Sequence, residues 1–353
     1  MTSQNRMKTG ILGCGNIGRT HLNVIKKLSH DFELSLCDTR RENAEKLAAQ
    51  FGIKDVYQSS DELLSKEKPD AVHILTPVSS HFDLAQKAIH QGCHVYIEKP
   101  VTETSAEYEK LFDLSKKQGR LLCAGYSALG MPVILKAKKE MESGKLGRLV
   151  SVHSDFMCSW PGNTIPYGDP EHWAYSLKGG VLQNMADHPA SVVVDAMESV
   201  EQSDSYFCRR NVLPHDCPDF MHMVLKNQDQ MGSFSLSLAH GAAHRQVQYF
   251  LEGGTIVADM SRQLMGIVRS QGPQNFIKKT TSGFGLGWKF GMGSVGNVFK
   301  VITGSLQRNP GIVHLIQNFY DAVQGKEVLL VKSHKVKNMV AALERAWAQV
   351  NKE

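Results

Sequence analysis

Hydrophobic positions in the first third of the chain alternate between short continuous runs and helical spacing. Continuous runs predict buried parallel strands, because a strand covered on both faces has no polar side. Between the runs, apolar residues three and four positions apart predict helices. The predicted strands are Thr9–Leu12, Phe32–Cys37, a short one near Val56, Asp70–Leu75, Cys93–Ile97 and Arg120–Ala124. This alternation predicts an α/β fold with a doubly wound parallel sheet over residues 1–125.

The pattern changes in residues 126–353, where strands show a period of two. Phe234, Leu236 and Leu238 alternate with serines, so one face of the sheet is dry and the other wet. That alternation predicts a large, open and mainly antiparallel sheet in a second, α+β domain. We expect this domain to bind substrate and to form oligomers, with the last helix packed either on it or back on the first domain.

Residues 283–296 hold six glycines among Phe284, Trp288 and Phe290. Glycine weakens helices and strands alike, so this segment is predicted to be a long loop. Three roles stay open for it: a lid over the site, a patch that touches a membrane, or a partly disordered surface insert.

The composition is that of a globular protein, with 353 residues, 42% hydrophobic and 21% charged, enough for two buried cores. Lys and Arg are dispersed, and the formal net charge of +5 suits an anionic substrate without indicating nucleic acid. No stretch approaches the ~18 apolar residues of a membrane span, and the N-terminus lacks the apolar core of a signal peptide. Seven cysteines without metal-like spacing predict reduced thiols, no metal site and a cytoplasmic location.

A glycine-rich turn follows the first predicted strand and precedes a helix. Gly13 permits the tight turn, Gly15 lets the backbone approach a pyrophosphate, and Gly18 lets the helix pack closely on the strand. The helix start at Asn16 and Ile17 offers N–H groups and partial positive charge to a phosphate. This arrangement predicts a dinucleotide-binding site.

Asp38 ends the second strand, twenty residues after Gly18. Its carboxylate is placed to accept hydrogen bonds from the adenosine ribose and to repel a 2′-phosphate, which favours NAD. Arg40 and Arg41 keep NADP open as the alternative, unless they lie in solvent on the next helix.

Two further strand ends carry polar groups toward the predicted crevice. The strand ending at Leu75 leads into Thr76 and Pro77, which we expect beside the ribose and nicotinamide. Glu98 and Lys99 follow the next strand, and an ammonium there could donate to a substrate hydroxyl before hydride leaves the same carbon. The alternative is a surface lysine paired with Glu98.

The sequence resembles the GFO/IDH/MocA family, named for glucose–fructose oxidoreductase, inositol dehydrogenase and a rhizopine-catabolism protein. The stretches that carry the resemblance are Gly13–His21, Thr76–Pro77 with His81, His94–Pro100 and Gly179–His188. The resemblance implies a Rossmann domain followed by an α/β domain with an open antiparallel sheet. It also implies NAD(P)-linked oxidation or reduction of sugars, cyclitols and related polyols, with Lys99 as the catalytic lysine and His188 as the active-site histidine.

His188 is expected on a helix that starts near Gly180, where it would act as general base. Asn184 stands one helical turn earlier, where the family usually carries Asp. An amide can hold a substrate hydroxyl, but it cannot stabilise the imidazolium that a base becomes. His21 falls on an apolar helical stripe and is expected to be buried and hydrogen-bonded, and His81 is expected to pack at a helix start beside the cofactor.

Aromatic and polar residues complete the predicted substrate site, because ring faces suit the apolar side of a sugar. They are Tyr126, Trp160, His172 and Trp173. Arg245, between two predicted strands, is interpreted as an exposed hairpin residue, with a phosphate contact as the alternative.

The leading hypothesis is an NAD-dependent oxidoreductase of a sugar, favouring a nucleotide sugar or another anionic pyranose. The alternatives are a free sugar or cyclitol dehydrogenase, a redox-neutral NAD-using glycosidase or lyase, and a non-catalytic cofactor-binding protein. A homodimer or homotetramer is expected, because the open sheet needs a cover for its exposed face.

Overall fold

The computed structural model describes residues 6–159, 169–270, 287–288, 290–299, 302–303 and 309–350. The chain forms two compact units. The first consists of Met1–Tyr126 and Val313–Val340, and the second of Ser127–Ile312 and Ala341–Glu353. Among the described residues, no helix combines the length and apolar character needed to cross a membrane.

The first unit is built on a six-stranded parallel sheet in the order β3-β2-β1-β4-β5-β6. Its strands are β1 (Met7–Leu12), β2 (Phe32–Cys37), β3 (Asp55–Tyr57), β4 (Ala71–Ile74), β5 (His94–Ile97) and β6 (Leu122–Ala124). Its intervening helices are α1 (Asn16–Ile25), α2 (Arg41–Phe51), α3 (Ser60–Glu67), α4 (His81–His90) and α5 (Ser105–Lys117). The doubly wound parallel sheet predicted from the sequence is confirmed.

The strand order reverses at β1, which lies between β2 and β4. Leu12 at the end of β1 is level with Cys37 on one side and with Ile74 on the other. In open α/β sheets, ligands bind beyond the carboxyl ends of the strands at such a reversal. The register therefore places the glycine-rich turn at the crevice of this sheet.

The second unit holds a seven-stranded mixed sheet in the order β13-β12-β11-β7-β10-β9-β8. Its strands are β7 (Leu149–Ser159), β8 (Gln202–Cys208), β9 (Phe220–Lys226), β10 (Met231–His240), β11 (His244–Leu251), β12 (Gly254–Asp259) and β13 (Leu264–Arg269). The helices of the rest of the chain are α6 (Pro132–Glu142), α7 (Gly180–Ala196), α8 (residues 290–299), α9 (Pro310–Val323) and α10 (Ser333–Trp347). Only the β7–β10 pair runs parallel, so the sheet is mainly antiparallel, as predicted.

Alternation along β10 separates the two faces of this sheet. Phe234 and Leu236 are fully buried, whereas the neighbouring Ser233 and Ser235 are half-buried. Helix α7 packs against β7 and β10. The period of two in the sequence thus correctly indicated one covered and one polar face.

The prediction of a loop over residues 283–296 is wrong for the described part of that segment. Residues 287–288 and 290–299 are helical. Large apolar residues recur there with helical spacing, at Trp288, Met292, Val295 and Phe299. That spacing is typical of an amphipathic helix, and it outweighs the low helix propensity of the glycines on which the prediction rested.

Candidate active site

Steric limits shape the glycine-rich turn between β1 and α1. At Gly13, φ is +102°, and an added Cβ would lie 2.7 Å from the carbonyl oxygen of Leu75. At Gly18, an added Cβ would lie 2.5 Å from the Gly13 carbonyl oxygen, so α1 passes directly against the turn. Gly15 differs, because in the described part of the chain no atom beyond its chain neighbours and its own helix lies within 4 Å of its Cβ position. The turn is therefore tight against the sheet and open on its outer side.

Helix α1 begins at this open side. Gly15 is its N-cap and supplies no side-chain hydrogen bond, so the first-turn N–H groups are not capped from within the helix. Asn16 is exposed, and Ile17 is 44% exposed despite its apolar side chain. Uncapped N–H groups, a helix dipole and open space together suit a pyrophosphate with an apolar group beside it.

Asp38 ties the turn to the end of β2. One carboxylate oxygen accepts from the Cys14 backbone N–H at 2.9 Å, and the other accepts from the Arg40 N–H at 2.9 Å. The Arg41 side chain pairs with Glu45 one turn along α2, at 2.7 Å, and both are exposed. Arg41 thus lies on the solvated face of α2. In this position, as expected from the sequence, it does not favour NADP over NAD.

The Cys14 thiol within the turn is inert by its surroundings. Burial raises its pKa to about 12, and the nearby Asp38 carboxylate adds to the effect. Thiolate is the reactive form of cysteine, so this side chain stays a small packing group.

His81 joins two of the loops at the crevice. Helix α4 begins at this residue, whose side chain is 1% exposed. Its Nε2 lies 2.7 Å from the Thr76 carbonyl oxygen, and its Nδ1 lies 2.9 Å from that of Pro100. Burial lowers the pKa of His81, although these carbonyl oxygens oppose the effect. The expected packing role at a helix start is confirmed.

Lys99 lies directly after β5, on the edge of the sheet that carries the turn. Its backbone N–H donates to Oε2 of Glu98 at 3.1 Å, and the Glu98 side chain is almost completely buried. Gly125 after β6 lies close by, since an added Cβ would be 3.0 Å from the Glu98 Cα. The backbone of Lys99 is therefore held in place by the carboxylate of the preceding residue, Glu98.

A buried chain of side chains fixes Glu98 from behind. His21 Nε2 lies 3.2 Å from Glu98 Oε1, His21 Nδ1 lies 2.8 Å from His73 Nδ1, and His73 Nε2 lies 2.8 Å from the Tyr320 hydroxyl. The Tyr320 hydroxyl also lies 3.4 Å from Thr9 Oγ1, so the buried series of hydrogen bonds runs from Thr9 through Tyr320, His73 and His21 to the Glu98 carboxylate. The burial expected for His21 is confirmed, because it is 0% exposed.

We expect Tyr320→Phe to lower the free energy of unfolding by about 1–3 kcal/mol, because it leaves His73 Nε2 buried without its hydrogen-bond partner. The change keeps the ring and removes only the hydroxyl, so lost packing does not contribute. Urea denaturation measures the effect. Phe319→Leu, on the same helix, is the control for packing. An unchanged urea midpoint for Tyr320→Phe would show that these buried hydrogen bonds do not stabilise the fold.

Acid is expected to destabilise the fold as the pH falls below about 6.5. Burial, with His21 adding to it, lowers the pKa of His73 well below its ordinary value of 6.5, so the folded protein keeps it neutral. The unfolded chain then binds more protons, and stability drops by about 1.4 kcal/mol per pH unit for each such group. Denaturation measured from about pH 7 to pH 5 checks this, and a flat or rising stability toward acid would contradict it.

In the second unit, α7 carries Asn184 and His188 one turn apart, and it begins at Gly180, as the sequence predicted. Asn184 is 7% exposed, and His188 is half-buried. Pro189 follows inside the helix and has no N–H for the usual bond to the preceding turn. Helix α7 therefore continues to Ala196 but lacks one backbone hydrogen bond directly after the histidine.

The ring of Phe156 contacts two groups of this unit. It stacks on His188 with a centroid distance of 5.4 Å and an interplanar angle of 7°, and the guanidinium carbon of Arg245 lies 4.5 Å from its centroid. Phe156 is 4% exposed, whereas Arg245 is exposed. The phenyl ring thus orients the imidazole and brings a cation onto the same aromatic group.

The other residues that were predicted to contact substrate differ in their exposure and in their hydrogen bonds. His172 Nδ1 accepts from the Ala174 N–H at 3.2 Å and caps a short 3₁₀ helix, while Trp173 is 45% exposed. Burial lowers the pKa of His172. Tyr126 is 2% exposed, and Trp160 lies outside the described residues.

Within the described ranges, no group of three or more His, Cys, Asp or Glu is arranged to hold a metal ion. The structure brings together the glycine turn, Thr76, Glu98 and Lys99 at the carboxyl edge of one sheet, and Asn184 with His188 on one helix. Sequence reasoning missed Phe156 and the His73–Tyr320 link. A histidine inside the apolar strand β4 was the available signal for the link.

These features define the first unit as a dinucleotide-binding Rossmann domain. Residues 7–126 match the oxidoreductase family with an NAD-binding Rossmann fold, and residues 134–257 match the GFO/IDH/MocA C-terminal domain. The chain belongs to the GFO/IDH/MocA family, and its cofactor is NAD. The open space at Gly15, the uncapped start of α1 and the Asp38 carboxylate fit that cofactor.

Two curated relatives show how far the sequence similarity extends. UDP-N-acetylglucosamine 3-dehydrogenase of Acidithiobacillus ferrooxidans is 33% identical over 128 residues, 36% of this chain and 39% of the relative. The NAD⁺-dependent scyllo-inositol 2-dehydrogenase of Bacillus subtilis is 27% identical over 186 residues, 52% of each chain. The chain spans about half the length of the curated relatives it matches.

Solved structures share the fold over nearly the whole chain. The WlbA dehydrogenase of Bordetella pertussis, in complex with NADH and UDP-GlcNAcA, has a TM-score of 0.77 at 18% identity, covering 98% of this chain and 96% of that one. The Acidithiobacillus ferrooxidans enzyme has a TM-score of 0.74 at 17% identity, covering 98% of both chains. At such identities the likeness establishes the fold alone.

We expect Gly15→Ala to weaken NAD binding by about tenfold or more while leaving thermal stability unchanged. The Gly15 φ of −80° suits any residue, and the added methyl meets none of the described residues outside its own helix, so it would clash with a bound pyrophosphate rather than with the fold. Calorimetric titration with NAD and a melting curve measure the two effects. Gly241→Ala, equally open, is the control. Unchanged NAD affinity in Gly15→Ala would show that the cofactor does not approach this turn.

Proposed function

We propose that this protein is an NAD-dependent oxidoreductase that moves a hydride between nicotinamide and a secondary carbinol carbon of a sugar. The observation that carries the proposal is the placement of Lys99. It follows β5 at the edge of the sheet that bears the NAD-binding turn, next to a carboxylate fixed by three buried side chains.

The proposed chemistry assigns one task to each polar group. Lys99 donates a hydrogen bond to the reacting hydroxyl and lowers its pKa, and His188 takes the hydroxyl proton as the carbonyl forms. Asn184 orients the substrate through its amide. Bound at the glycine turn and Asp38, NAD would supply the hydride acceptor for the carbon that carries this hydroxyl. In the reverse direction the same groups return the proton to the carbonyl oxygen.

We propose a nucleotide sugar, or another anionic pyranose, as the substrate. Arg245 supports this choice, because its guanidinium lies on the ring that stacks with His188 and is exposed to an incoming phosphate. The names of two family relatives, which describe a UDP-sugar dehydrogenase and a dTDP-sugar reductase, point the same way. Trp173, an exposed aromatic of this unit, is proposed as a sugar contact.

The proposal is tested by following NADH absorbance with a panel of nucleotide sugars, uronates, free sugars and cyclitols. Turnover with nucleotide sugars supports it, and Arg245→Met is then expected to raise KM for these substrates while leaving kcat unchanged. Activity confined to free cyclitols would remove the nucleotide-sugar assignment. Bound NAD with no net absorbance change during turnover would identify the redox-neutral alternative instead.

We also propose that the protein is a homodimer or homotetramer that covers the polar face of the second sheet. That face carries half-buried His153, Asp155 and Ser233, which are joined by hydrogen bonds of 3.1 and 2.8 Å. Light scattering on the purified chain gives the oligomeric state, and a monomer would contradict this part.

A further inference from the structure

Helix α8 and its flanks expose an unusual amount of apolar surface. Nearly half of the large apolar side chains that are exposed in the described part of the chain lie between positions 288 and 302. They are Trp288 (72%), Met292 (54%), Val295 (59%), Val298 (58%), Phe299 (69%) and Ile302 (76%). Monomeric proteins rarely expose contiguous apolar surface of this kind without an interaction that uses it.

The orientation of this helix is the reverse of a normal surface helix. The less apolar face is turned toward the protein, since the Asn297 side chain donates to the Arg262 carbonyl oxygen. An added Cβ on Gly293 would lie 2.5 Å from a methyl carbon of buried Leu264. Trp288, Met292 and Phe299 lie on the other side. A globular helix buries its apolar stripe, whereas α8 presents it to the surroundings.

The charge of the surrounding sequence is equally one-sided. Between Asp259 and Asp321 the chain holds seven Lys and Arg residues and no Asp or Glu. Arg262 pairs with Asp259, which leaves six further basic residues in the segment. The whole chain has a net charge of only +5, so the remainder is net acidic. Basic residues are dispersed along the sequence, but acidic ones are missing here.

We propose that α8 is a docking surface for an anionic lipid membrane, with its apolar face inserted at the headgroup level. Helix α8 and its flank present Trp288 and Phe299 on one face, and Lys289 and Lys300 are its neighbours in the sequence. Apolar aromatic faces in a basic stretch of sequence are typical of helices that lie in a membrane interface. Anionic lipids attract the basic segment, and burial of the apolar face removes it from water.

A second copy of the chain is the less suitable occupant of this face. A two-fold interface through α8 would bring two segments without acidic residues against each other. Like charges that face each other across an interface oppose association. An anionic surface complements the same segment, so the charge pattern favours lipid.

Flotation of the full chain with vesicles tests the proposal. The protein is expected to float with vesicles of phosphatidylcholine and phosphatidylglycerol, less with phosphatidylcholine alone, and less as salt is raised. The double variant Trp288→Ser/Phe299→Ser is expected to lower the partition coefficient by about tenfold or more. Absence of binding to the anionic vesicles would overturn the proposal.

The matched control is Tyr206→Ser/Val328→Ser, which removes two other exposed apolar side chains (57% and 86%) outside the segment. It is expected to float like the wild type. An equal loss of vesicle binding in both double variants, at equal melting temperatures, would show that α8 does not mediate the binding. Light scattering tests whether a second copy covers this face instead. If the wild type is a dimer that does not bind vesicles, and Trp288→Ser/Phe299→Ser converts it to a monomer, the face belongs to a second copy.

Discussion

Replacing Lys99 with alanine is expected to reduce kcat by about 10²- to 10⁴-fold with little change in NAD affinity. The substitution removes the proposed hydroxyl donor, but it keeps the backbone N–H that donates to Glu98. The buried chain through His21 and His73 is therefore left intact. Steady-state kinetics with the substrate found in the panel, together with NAD titration, measures both quantities.

Two companion variants make the Lys99 result specific. Lys99→Arg keeps the charge but presents a broad planar group in place of a compact ammonium, so activity is expected between those of the wild type and Lys99→Ala. Lys66→Ala removes an exposed lysine that pairs with Glu62 on α3 and is expected to leave kcat unchanged. A kcat for Lys99→Ala equal to that of the wild type would remove the lysine from the mechanism.

His188→Ala is expected to lower kcat by a similar factor of about 10² to 10⁴, because no other group then takes the hydroxyl proton. The loss is expected to shrink as the pH rises, because hydroxide increasingly replaces the base. NAD affinity stays unchanged, since the glycine turn lies in the other unit. The pH profile of kcat/KM for both proteins measures this.

His222→Ala is the control for the loss of a histidine from the second unit. His222 is half-buried on β9 and bonds to Ser235 at 3.1 Å, so its removal is expected to leave the pH profile unchanged. Full activity in His188→Ala, or the same acid limb with and without His188, would show that the stack on Phe156 is purely structural.

The parallel sheet was predictable because local signals there agree with the fold. The apolar run Phe32–Cys37 corresponds residue for residue to β2, and the start of α7 at Gly180 was also correctly predicted. Residues 283–296 show the opposite case. Glycine content predicted a loop, whereas the spacing from Trp288 to Phe299 carries the helical signal.

Within the candidate site, only the residues that directly follow strands could be predicted from the sequence. Thr76 and Lys99 follow strands, so their place at one sheet edge follows from the topology. The partner of His73 is Tyr320, 247 residues away, and no local pattern reports such a contact. Phe156 and Arg245 come from neighbouring antiparallel strands whose register was unknown before the structure.

Label transfer tests the central claim most directly. The identified substrate, carrying deuterium at its reacting carbinol carbon, is incubated with the protein and NAD, and the cofactor is analysed by mass spectrometry. The account predicts that NADH gains the deuterium from the substrate, and that Lys99→Ala slows the transfer. Product formed with unlabelled NADH, or deuterium exchanged into water, would contradict direct hydride transfer to NAD.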